Sequence, residues 1–159
     1  MKITILSVGN IKEKYLKDAI LEYSKRISKY SDIEFINVLD EPIKDNASQK
    51  EIEIVKNKEA SKLIKKLPLN SYKIALNLKG KMLSSEELAE KMLDIYSYNN
   101  SHIVFVIGGS LGLGDEILNM MDYHLCFSKM TFPHQLMQVI LLEQVYRAFK
   151  INNNETYHK

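Results

Sequence analysis

Cysteine is nearly missing from these 159 residues. Cys126 stands alone, which excludes an internal disulfide and a cysteine-based zinc site. Arginine is scarce too: Arg26 and Arg147 are the only two among 22 basic residues, so Arg147 is the one planar, bidentate cation of the C-terminal half. Net charge is small, +2 at pH 7, too mild by itself to announce nucleic-acid binding. Long hydrophobic runs are lacking. The stretch Ile3–Val8 is too short for a secretory signal, and nothing approaches a membrane span. The four histidines, His102, His124, His134 and His158, form neither an HxxxH nor an HExxH pattern, so no metal site is expected. Glycine is sparse at six residues, yet four of them crowd into Gly108–Gly114. These absences predict a soluble, cytoplasmic protein of a reducing compartment. With 45% hydrophobic and 26% charged residues, residues 1–159 are expected to form one globular domain with its own core.

What is present reads as an alternation. Residues 2–8 are apolar and β-branched, then Gly9-Asn10 punctuates, which predicts a strand and a turn. Between Glu13 and Tyr30, apolar Tyr15, Ile20, Tyr23 and Ile27 share one helical face. A second strand is expected over 33–39. A helix over 49–67 follows, opened by Ser48 with Glu51 three residues on, and its lysine- and glutamate-rich surface predicts a solvated outer helix. Residues 72–78 read as a strand, 84–98 as a helix opened by Ser84 and Glu87, and 102–107 (HIVFVI) as the most strand-like run. A short helix from Asp115, a strand over 123–127 and a final helix to about Phe149, with Thr131 as its expected cap, complete the pattern. The alternation predicts an α/β fold with a mostly parallel sheet of about five strands flanked by helices.

Two loops attract chemistry. Gly108–Gly114 follows a strand end, where open α/β sheets bind ligands, but its spacing is neither a dinucleotide fingerprint nor a P-loop. Phe127–Gln135 lies between a strand end and a helix start at the same sheet edge. The last helix is apolar around nearly its full circumference, which predicts either a central core helix or a homodimer interface. Glu143 and Arg147 are spaced to pair with each other. The tail Glu155–Lys159 is polar and expected to fray and to carry little stability, although its Tyr157-His158 pair can stack on a base and move a proton.

Several segments taken in order carry a resemblance: Met1–Leu6 with Val8-Gly9, Gly80-Lys81, Leu83–Glu86, Phe105–Ser110, Phe127–Gln135, Glu143–Ala148 and Tyr157-His158. Together the chain resembles the RlmH (YbeA) family of small SPOUT-class methyltransferases. The resemblance implies an α/β fold with a C-terminal trefoil knot, acting as a homodimer. It implies transfer of a methyl group from S-adenosylmethionine to N3 of a pseudouridine in helix 69 of 23S rRNA, on the assembled 70S ribosome, with no part for DNA or membrane. By the same resemblance the cofactor is held by Leu76, Gly108 and the run Phe127, Ser128, Lys129, Met130, Thr131 and Phe132. His134, Arg147, Tyr157 and His158 are the catalytic candidates, since N3 must lose a proton.

Three positions depart from the family's usual pattern. Gln138 stands where an Arg is usual, Leu111 replaces a more polar residue, and Cys126 replaces a frequent Ser. Loss of the Arg raises the alternative of a divergent knot protein that binds cofactor and ribosome without methylating. A nucleotide-binding α/β protein of another kind is opposed by the absent phosphate motifs.

Overall fold

The computed structural model describes residues 1–98 and 100–159. Five strands and five helices alternate: β1 (Lys2–Val8), α1 (Lys14–Ile27), β2 (Asp32–Val38), α2 (Gln49–Lys66), β3 (Tyr72–Met82), α3 (Ser85–Tyr98), β4 (His102–Ile107), α4 (Asp115–Leu118), β5 (Tyr123–Cys126) and α5 (His134–Asn152). The sheet order is β2-β1-β4-β3-β5, and every pairing is parallel.

Parallel strands need helical crossovers, so helices cover both faces of the sheet and its strands are apolar on both sides. β4 shows this by its period of two. Ile103, Phe105 and Ile107 point into the core shared with α1, α3 and α5, while Val104 and Val106 point into a second core under α2 and α4. β1 divides likewise, Ile3 and Ile5 to the first side and Leu6 and Val8 to the second.

Local signals place the helix starts. Ser48 and Glu51 close a reciprocal capping box at α2, with Ser48 N donating to Glu51 Oε2 at 2.6 Å and Glu51 N to Ser48 Oγ at 3.2 Å. Ser84 and Glu87 do the same before α3, at 2.7 and 3.1 Å. α5 departs from expectation. Its cap is Pro133, with no side-chain hydrogen bond, and Thr131 stays exposed in the loop before it. Proline in front of a helix costs no backbone bond there, because that N–H has no intrahelical partner.

Three further expectations need correction, and for α5 the core-helix alternative is the one observed. β3 does not stop at Leu78. Leu76 and Lys81 both register with Leu125, so residues 77–80 bulge out and the strand resumes to Met82. α2 is not merely a solvated outer helix, for it buries Glu59 (5% exposed) beside Ala60 and Leu63. α5 is covered largely within one chain: it packs between α1 and α3, burying Leu141, Leu142, Val145, Ala148 and Phe149, and leaves chiefly Leu136 exposed. The tail does not fray. Tyr157 sets its ring edge-on against Tyr146 at 4.9 Å, beneath the Arg147 guanidinium at 4.7 Å, and joins the main core.

Candidate active site

The C-terminal ends of β3, β4 and β5 open onto a cavity of about 580 Å³. The loop after β4 forms one wall. There Gly112 N donates to Gly109 O at 3.0 Å, closing a tight turn, and Gly112 takes φ +81°, which a side chain would strain. A Cβ on Gly108 would come within 2.7 Å of the Gly112 carbonyl carbon. Closure of the loop on itself, rather than ligand space, therefore demands that glycine. The opposite wall is the loop after β5, stiffened where Ser128 Oγ accepts from Met130 N at 3.0 Å and where Cys126 Sγ donates to Ser128 O at 3.1 Å.

Most of the residues expected to hold a cofactor meet here. Leu76, Gly108, Phe127, Ser128, Met130, Thr131 and Phe132 all line the cavity, and Lys129 does not. His134 lines it too, from the first turn of α5, with Nε2 only 3.6 Å from where a Gly9 side chain would begin. Sequence reading missed Leu78, Asn77 and Met137, which also line it. Leu78 was hidden because the bulge that turns it into the cavity depends on pairing with β5. The lining carries no Lys, Arg, Asp or Glu. Such walls suit a ligand whose adenine and apolar parts are held by main chain and hydrocarbon. S-adenosylmethionine fits that description.

Arg147, Tyr157 and His158 form a separate group. Arg147 pairs with Glu143, Tyr157 OH donates to Glu143 Oε1 at 3.0 Å, and an Arg147 nitrogen approaches His158 Nδ1 at 3.2 Å. Arg only donates, so His158 Nδ1 accepts and its Nε2–H donates to Glu86 at 2.8 Å. Burial, reinforced by the Glu143 carboxylate, pushes the Tyr157 phenol up to about 12, so it is a donor at neutral pH. None of the three lines the cavity. Arg147 lies 13 residues beyond His134 on one helix, about 20 Å along its axis. Gln138 is 4% exposed and faces the interior rather than a partner. Among the described residues no group of three or more His, Cys, Asp or Glu is placed to hold a metal, and no helix is long and apolar enough to cross a membrane.

A parallel α/β sheet with two loops closing an uncharged cavity of about 580 Å³ at its carboxyl edge is the setting of a SPOUT methyltransferase, and the chain belongs to that family. The family model described as "Predicted SPOUT methyltransferase" matches residues 1–158. Within it the relatives are specific. Ribosomal RNA large subunit methyltransferase H of Clostridioides difficile (strain 630) is 57% identical over 159 residues, all of both chains, and the protein of that name from Clostridium novyi (strain NT) is 58% identical over the same span. The chain is thus a member of the RlmH family. A solved structure, a probable methylase family protein from Haemophilus influenzae Rd KW20, shares the fold at 16% identity, with a TM-score of 0.52 over 99% of this chain and 70% of that one.

Proposed function

We propose that this protein methylates N3 of a pseudouridine in helix 69 of 23S rRNA, using S-adenosylmethionine, in the cytoplasm and on the assembled 70S ribosome. The observation that carries the reading is the convergence of Leu76, Gly108 and the 127–132 loop on one cavity with His134 at its rim. Full-length relatives named as large-subunit rRNA methyltransferases supply the substrate class. A C-terminal trefoil knot belongs to the same reading, supported by family membership.

Bound S-adenosylmethionine supplies a methyl group on a sulfonium sulfur, which needs neither a metal nor a protein nucleophile. The protein's tasks are alignment and proton handling. The apolar walls from Leu76, Leu125 and Phe127 exclude water, and the two loops fix the donor's position. N3 takes the methyl carbon as it gives up its proton, and His134 is the group of this cavity able to accept it. The tail acts from a second subunit: Tyr157, its O–H committed to Glu143, anchors the tail, and Arg147 orients His158 toward the RNA. Exposed apolar Leu78, Met130 and Phe132 at the cavity mouth support a homodimer, because adjacent exposed apolar side chains mark an interface. The alternative is a knot protein that binds cofactor and ribosome without methylating; Gln138, the departure behind it, is only 4% exposed.

The test compares helix 69 by primer extension and mass analysis in ribosomes from a strain lacking the gene and from the complemented strain. The expected result is one methyl group that appears only on complementation. Identical ribosomes would refute the proposal. Calorimetry adds a second check: Thr131→Trp, an exposed position on the cavity wall, is expected to weaken S-adenosylmethionine binding at least about tenfold in a folded protein.

A further inference from the structure

A second cavity, of about 290 Å³, lies beside the first at the same sheet edge. The donor cavity sits over β3, β4 and β5. This one sits over the ends of β1 and β2, beneath α2. The two share Gly109, Ser110, Leu111 and His134, so they adjoin along that loop and the start of α5. Its size falls near the lower end of ligand sites, about 300 Å³, which suits one ring system rather than a cofactor.

Glu59 of α2 lines this cavity while only 5% exposed. A buried carboxylate without partners is costly, so its surroundings need an account. Oε2 accepts from Glu41 N at 3.0 Å. That loop is itself pinned, with Lys62 Nζ donating to Leu39 O at 2.9 Å and pairing with Glu41 at 2.7 Å. Oε1 has no hydrogen-bond partner among the described residues. Both oxygens lie against Gly109: a side chain there would begin 3.5 Å from Oε1 and 3.6 Å from Oε2. One acceptor atom, held on a clamped helix, is thus left facing the cavity next to that junction.

We propose that this second cavity receives the acceptor ring, with Glu59 accepting the N1–H of pseudouridine while N3 turns past His134, along the junction at Gly109–Leu111, to meet the donor methyl group. This rests on the methyltransferase reading given above. The chemistry is selective. Uridine is bonded to ribose through N1 and has no proton there, whereas pseudouridine is bonded through C5 and carries N1–H as well as N3–H. A buried acceptor that finds no donor is left unpaired, and sites of that kind reject the analogue lacking the donor. Glu59 is therefore a specificity-determining residue that reads the isomer of the base, and His134 stands between the two sites to handle N3.

The experiment measures single-turnover methylation of purified ribosomes carrying either pseudouridine or uridine at the target. Wild type is expected to prefer pseudouridine. Glu59→Gln keeps a carbonyl oxygen for Glu41 N but turns an NH₂ group toward the ring. It is expected to lower the pseudouridine rate about tenfold or more and leave the uridine rate unchanged, with S-adenosylmethionine affinity intact. A preserved preference overturns the assignment, and so does an equal loss on both ribosomes, which marks a structural role. Val55→Trp, which fills this cavity from α2 without reaching the donor cavity, is the second variant. It is expected to stop methylation with donor affinity unchanged, and normal methylation overturns the proposal. A wild type that methylates neither ribosome overturns the underlying reading instead, and the role of Glu59 with it.

Discussion

The C-terminal tail offers the sharpest quantitative test, because sequence and structure disagree on it. A polar terminus is expected to fray and to carry little stability. In the structure Tyr157 is held three ways: by Tyr146 at 4.9 Å, by the Arg147 guanidinium at 4.7 Å and by its hydrogen bond to Glu143 at 3.0 Å. An edge-to-face aromatic pair contributes about 0.5–1.5 kcal/mol beyond area burial. A part-exposed cation–π contact contributes about 0.5–1 kcal/mol. The hydrogen bond to a carboxylate, discounted for solvent at this half-buried place, contributes about 1 kcal/mol. Tyr157→Ala is therefore expected to cost about 2–3.5 kcal/mol, and Tyr157→Phe, which keeps the ring, about 1 kcal/mol. For a chain of this size each kcal/mol lowers Tm by about 2–4 °C, so the expected falls are about 4–14 °C and 2–4 °C. Scanning calorimetry at a fixed protein concentration measures both, and the fixed concentration keeps any association constant between variants. An unchanged Tm for Tyr157→Ala would refute the reasoning and return the tail to the status of slack chain.

Leu136→Glu on the exposed start of α5 is expected to leave Tm nearly unchanged and to shift sedimentation from dimer to monomer, and an unaltered sedimentation profile counts against an interface there. Glu59 gives a pH signature. Burial raises its pKa in the folded chain, partly opposed by Glu41 N–H, so the folded state holds that proton more tightly than the unfolded one. Ionised Glu59 thus costs stability above the folded pKa, and the cost vanishes below the ordinary carboxylate range near about 4.3. Glu59→Gln is expected to be more stable than wild type at pH 7–8 by a margin that shrinks as pH falls toward 4; a margin independent of pH would show that the carboxylate is not strained by burial.

The sequence by itself determined the elements and their class. Period-two apolar runs such as HIVFVI, capping boxes at Ser48 and Ser84, and glycine after β4 are local signals, and each states a backbone preference within a few residues. The loops that carry the cofactor residues were legible for the same reason, lying directly after strands, and their motifs in order pointed to the family. Tertiary structure alone decided what those loops enclose. Leu78 enters the cavity only because β3 bulges against β5, where Leu76 pairs with Leu125 from far along the chain. Glu59 looks like any charge on a lysine-rich helix until α2 lies across the sheet edge and buries it against Gly109. Tyr157 looks free until α5 presents Tyr146 and Arg147 to it. Burial is a property of what packs on a residue from elsewhere in the chain, so a one-dimensional pattern records the preference of each segment and not the neighbours that finally surround it.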